Sequence, residues 1–134
     1  MSEYISQDCE GGISKTVCHG LELFNQGKYF EAHEELELAW RVESDPLREL
    51  YRGILQVAVV YLHISRGNYS GAMKVYRRCR KWLEPWPDTC IGIDIGKLRH
   101  DLEHTIEELQ KLGKDRIAEF DLSSFQPVQY DIST

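Results

Sequence analysis

The chain has 134 residues, 42% hydrophobic and 28% charged, enough for one domain with a real core and too few for two. Its net charge of −6 lacks the electrostatic footprint of a nucleic-acid or anionic-membrane binder, so neither partner is expected. The four cysteines, Cys9, Cys18, Cys79 and Cys90, show no CxxC spacing, so reduced thiols in a cytoplasmic protein are expected.

Residues 1–12 contain a Gly-Gly pair and no apolar period, and read as a mobile lead-in with no signal-peptide pattern. A helix follows from Ser14 to Gln26, with Val17, Leu21 and Phe24 on one face and Gly27 as its stop. A second helix, Lys28 to Glu43, has a core stripe of Tyr29, Ala32, Leu36, Ala39 and Trp40. Ser44-Asp45-Pro46 makes a turn, with Pro46 opening the third helix. That helix, Pro46 to Arg66, is apolar nearly all round after Tyr51, which predicts the central and most buried element. Its most apolar stretch, Ile54 to Ile64, is too short to span a bilayer.

Gly67 ends the third helix and Asn68 caps a fourth that runs to Leu83. The basic run Arg77-Arg78-Cys79-Arg80-Lys81 lies late in that helix, where cations favour the helix dipole, and reads as a solvated helix end. Pro85-Trp86-Pro87 forbids continuation. Asp94 caps a fifth helix with Leu98, Leu102, Ile106, Leu109 and Leu112 on one face, stopped by Gly113. The expected organisation is a lead-in (1–12), an all-α bundle of about five helices (13–113) and a tail (114–134) packing back through Phe125, Val128 and Tyr130.

One internal repeat is visible: Gly27-Lys28-Tyr29-Phe30-Glu31-Ala32 aligns with Gly67-Asn68-Tyr69-Ser70-Gly71-Ala72. Two stacked helical hairpins would produce it. The offset is about six residues longer than the ~34 of a tetratricopeptide repeat, so the likeness to that peptide-binding architecture is loose.

The candidate site lies between the second and third helices. At ~100° per residue, His33 and Glu37 flank the second helix's apolar stripe, with Glu34 and Arg41 further round. Arg52, Gln56 and His63 share one side of the third helix. An antiparallel hairpin would set His33 and Glu37 near His63 and Gln56, and Arg41 near Arg52 or Arg48. Ionisable groups on core-facing helices are costly unless paired, metal-bound or functional, so a buried polar seam is expected. As a register-fixing network, Glu34 or Glu37 accepts from Arg52 and Gln56 joins the histidines. As an active site, His33, Glu37 and His63 would ligate a divalent transition metal, Glu34 would act as base and Arg52 as anion clamp. His33-Glu34 followed by Glu37 is not HExxH. His100 and His104 lie opposite the leucine stripe and read as a surface pair, and His19 shows no partner pattern.

Phe24 to Glu37 with Trp40-Arg41, then Gly53-Ile54-Leu55-Gln56, His63, Arg66-Gly67-Asn68 and Gly71-Ala72, resemble the small all-helical family known as domain of unknown function three-hundred-and-nine. The resemblance covers residues 20–112 and implies a compact bundle of about five helices with no activity to carry over. Its signature maps onto Glu31, His33, Glu34, Trp40, Arg41, Gln56, His63, Gly67 and Asn68, the last of these joining Trp40, Arg41 and Gln56 as network or pocket residues.

The leading expectation is a structural or interaction module, self-associating as a homodimer, in which the seam fixes register. A metal-dependent hydrolase using the seam, and a tetratricopeptide-like peptide binder, are the alternatives.

Overall fold

A computed structural model describes residues 9–132 of the chain. Five helices form the all-α body: α1 (Lys15–Asn25), α2 (Tyr29–Val42), α3 (Leu47–Ser65), α4 (Tyr69–Leu83) and α5 (Ile95–Leu112). Their ends are written in local chemistry. Ser14 Oγ accepts from the Val17 amide, Asn68 Oδ1 from the Gly71 amide and Asp94 Oδ1 from the Lys97 amide.

The repeat has a structural basis. Gly27 and Gly67 both take left-handed φ, at 78° and 72°. The residue after each donates to the carbonyl five residues back: Lys28 to Leu23 at 2.9 Å, Asn68 to His63 at 2.8 Å. These are two Schellman stops, each turning the chain into a helix that begins on tyrosine.

Successive helices pack pairwise, α1 on α2, α2 on α3 and α3 on α4. As its all-round apolar pattern predicts, α3 is the central element, burying Leu50, Tyr51, Ile54, Val57, Ala58, Val60, Tyr61 and Ile64. Gly53 lets α4 come close: a Cβ there would stand 2.7 Å from Leu83 Cδ2 and 3.3 Å from Trp82 Cβ.

A two-residue antiparallel pair, β1 (Thr89–Cys90) and β2 (Ile93–Asp94), follows the Pro85–Pro87 break and was not expected. It ties both ends of the described chain. Ile91 N–H donates to the Cys9 carbonyl at 2.8 Å, Asp94 N–H to Gln129 and Asp131 N–H to Gly92. Cys9 and Cys90 form a disulfide, their Cα atoms 4.4 Å apart. The expectation of four reduced thiols is therefore corrected: Cys18 and Cys79 are the free cysteines. Spacing could not show this, because the hairpin turn joins positions 81 residues apart. Of the mobile lead-in expected over residues 1–12, residues 1–8 lie outside the described residues and Cys9 is covalently held.

After α5 the chain makes 3₁₀ turns at Lys114–Glu119 and Leu122–Ser124. The tail then packs on the bundle. Phe125 stacks on Tyr61, and Asn25 receives and donates one bond each with the Val128 backbone, at 2.7 and 2.9 Å.

No helix of the described residues is long and apolar enough to cross a membrane.

Candidate functional site

The expected seam is not buried. The face of α2 that enters the core is Ala32, Leu36 and Ala39, while His33, Glu37 and Trp40 lie half-buried at its edge and Glu34 and Arg41 are exposed. Arg52, Gln56 and His63 on α3 are likewise half-buried. The small residues of the α2 stripe let the helix backbone approach its neighbours, so the long polar side chains spread outward to the rim, where water solvates them. Among the described residues, Thr105 is the one buried polar side chain besides the buried tyrosines, tryptophan and cysteines.

The seam also divides. Its upper part, Glu37, Trp40, Arg52 and Gln56, lines a cleft of about 410 Å³ with Leu55 of α3 and Arg78, Lys81 and Trp82 of α4. That volume lies in the range of small-ligand and side-chain pockets. His63 is elsewhere, at the C-terminal end of α3. Asn68 Nδ2 donates to its Nδ1 at 3.1 Å, and Gly71 is packed against both. Desolvation, and then the Arg66 charge, lower the His63 pKa, which suits an imidazole that accepts this bond in its neutral form. His33 lies beside Phe30, ring centroids 6.4 Å apart. Among the described residues no group of three or more His, Cys, Asp or Glu side chains is placed to hold a metal ion.

The centre of the cleft is Arg52. Its guanidinium carbon sits 4.3 Å from the Trp82 ring centroid and 5.1 Å from that of Trp40. Arg48 lies over Trp40 as well, at 4.7 Å. Cation–π attraction on two indoles holds the guanidinium in place. The Arg52 guanidinium forms an ion pair with Glu49 Oε2 at 3.5 Å, longer than a hydrogen bond. A guanidinium positioned by ring contacts offers a planar N–H fork to a planar or tetrahedral oxyanion.

Arg78 and Lys81 lie one turn apart on α4, exposed and without an ion-pair partner among the described residues. Glu37, the one carboxylate of the lining, pairs with Arg41 at 3.5 Å. Two lining residues hold a buried polar atom with no hydrogen-bond partner among the described residues, Trp40 Nε1 and Gln56 Oε1. Such orphaned groups are rare in native proteins and ask for a partner.

Arg52, Trp40, Gln56 and Glu37 of the expected seam line this cleft together with α4 residues that the sequence reading did not join to them. Arg78, Lys81 and Trp82 share one face at helical spacing, but the basic run was accounted for by the helix dipole alone. His19 also gains a partner that no local pattern shows, Glu35 Oε2 at 2.8 Å. Neither free thiol is poised as a nucleophile. Burial pushes Cys79 up to about 12, and burial and then Glu22 raise Cys18.

Residues 17–75 match a family model described as "Domain of unknown function (DUF309)", which bears out the expected resemblance over that segment. An uncharacterized protein of Aquifex aeolicus (strain VF5) is 27% identical over 84 residues, 62% of this chain and 25% of the relative. The uncharacterized protein YpuF of Bacillus subtilis (strain 168) is 28% identical over 88 residues, 63% of this chain and 51% of the relative. The matched stretch thus spans about a quarter and about half of these relatives' lengths.

Proposed function

We propose that this chain, carrying a DUF309 match over residues 17–75, is an interaction module whose cleft between α2, α3 and α4 receives an acidic segment of a partner protein. The observation that carries the reading is Arg52, held between Trp40 and Trp82 with Arg78 and Lys81 beside it. Three cations face one carboxylate in this lining, on a chain whose net charge is −6. Arg52 has an ion pair with Glu49, outside the lining, while Arg78 and Lys81 have none among the described residues, so the cleft carries an excess of positive charge that an anion would offset. Leu55 and the two indoles supply apolar surface for the residues that flank the anion.

Indole N–H resonances test this reading. Titrating the full chain with a glutamate-rich peptide is expected to shift the Trp40 and Trp82 signals and leave Trp86, buried outside the cleft, in place. Arg52→Ala is expected to remove the shifts. No shift at millimolar peptide, or equal movement of all three signals, would sink it.

Self-association belongs to the same reading. The exposed α2 side chains Phe30, Leu38 and Val42 are those a two-fold contact would cover, and light scattering over a concentration series reads the oligomeric state. A cytoplasmic location stays an expectation with the Cys9–Cys90 bond against it, because disulfides are rare in reducing compartments. Thiol trapping in intact cells decides between the two.

A further inference from the structure

We infer that the anion this cleft selects is a phosphorylated side chain on the partner segment. The inference rests on the reading of the cleft as the binding site for an acidic segment and names the chemistry of that segment.

Charge is the first argument. Arg52, Arg78 and Lys81 outnumber Glu37 in the lining; Glu37 is paired with Arg41 and Arg52 with Glu49, each at 3.5 Å, which leaves Arg78 and Lys81 without an ion-pair partner among the described residues. A phosphate monoester carries about −1.5 to −2 charges at neutral pH. It answers a lining of this kind, whereas a single carboxylate leaves cations unpaired. The rest of α4 points the same way: Lys74, Arg77, Arg78, Arg80 and Lys81 stand on a helix with no carboxylate.

Geometry is the second. The Arg52 guanidinium lies over both indole rings, and its planar N–H fork is the arrangement that binds two oxygens of a phosphate at once. Arg78 and Lys81, exposed on α4, add a second guanidinium and an ammonium for the remaining oxygens. Trp40 Nε1 is an unpaired donor and Gln56 Oε1 an unpaired acceptor.

A single-stranded nucleic acid also presents phosphates, but it needs aromatic faces on which bases stack. Here guanidinium groups lie over both indoles, Arg48 and Arg52 on Trp40 and Arg52 on Trp82. The observations therefore favour the phosphopeptide.

The test is fluorescence anisotropy with the full, oxidised chain. The probes are short degenerate peptides carrying one fixed phosphoserine, phosphothreonine or phosphotyrosine, the same peptides unphosphorylated, and the same peptides with glutamate at that place. Inorganic phosphate and a short single-stranded DNA serve as competitors. At least one phosphopeptide set is expected to bind about tenfold or more tighter than its glutamate counterpart. Arg52→Lys, which keeps the charge and removes the planar fork, is expected to weaken it about tenfold. Arg78→Ala, at an exposed position, is expected to weaken it without changing the melting temperature.

Equal binding of phosphorylated and glutamate peptides would overturn the inference while leaving the acidic-segment reading intact. Binding of no peptide would overturn both. Tighter binding of the DNA than of any phosphopeptide, or inorganic phosphate binding as tightly as the peptides, would overturn the choice of ligand. Unchanged phosphopeptide affinity in Arg52→Lys and Arg78→Ala would overturn the site.

Discussion

The guanidinium carbon of Arg52 lies 4.3 Å from the ring centroid of Trp82 and 5.1 Å from that of Trp40. Neither indole is near Arg52 in sequence, and each comes from a different helix. An arginine so held loses less freedom on binding than one on a free stem, which favours recognition of a bidentate anion. These two contacts join α2, α3 and α4 at one point on the surface.

Close approach of α4 to α3 is set by Gly53. Leu83, whose Cγ and Cδ2 would meet an added Cβ at 3.0 and 2.7 Å, is fully buried and has no room to yield. Gly53→Ala is expected to gain helix propensity and lose more to overpacking, a net cost of about 1–2 kcal/mol. It also displaces Trp82 from Arg52. Urea denaturation reads the first effect and the Trp82 indole N–H shift the second.

The Cys9–Cys90 disulfide closes a long loop. Reduction, or Cys9→Ser, is expected to cost about 2–4 kcal/mol, chiefly by releasing the unfolded chain. Melting curves with and without reductant measure it. An identical melting temperature in both, with the wild-type bond shown intact beforehand, would contradict it.

The tail depends on Asn25, whose amide makes both bonds to the Val128 backbone. Asn25→Ala is expected to cost about 1–2 kcal/mol and to expose the tail to protease before the bundle unfolds. Mass spectrometry of limited digests should show first cuts beyond Phe120. Phe125→Ala, which removes the ring stacked on Tyr61, is expected to act in the same direction.

His63 gives stability a pH dependence. Desolvation, then Arg66, holds its folded pKa below that of the unfolded chain. The unfolded state therefore binds more protons in the interval between the two values. Its contribution is complete above the unfolded pKa, near 6.5, and is lost as pH falls toward the lower folded value. Unfolding free energy measured from pH 7.5 to 5 should fall less steeply in His63→Gln than in wild type.

What the sequence determined by itself is local: five helices, the capping roles of Asn68 and Asp94, the Gly27 and Gly67 stops, and α3 as the core element. These follow from apolar period and from bonds spanning a few residues, so the order of side chains along the chain is sufficient. The tertiary structure decided the rest. It made the seam a rim, divided His63 from Glu37, and brought Arg78, Lys81 and Trp82 to Arg52. It also joined Cys9 to Cys90 across 81 positions and Asn25 to Val128 across 103. The reason is that such meetings depend on how closely two helices approach and at what rotation. Small residues such as Ala32, Ala39 and Gly53 set those quantities only through the partner they touch.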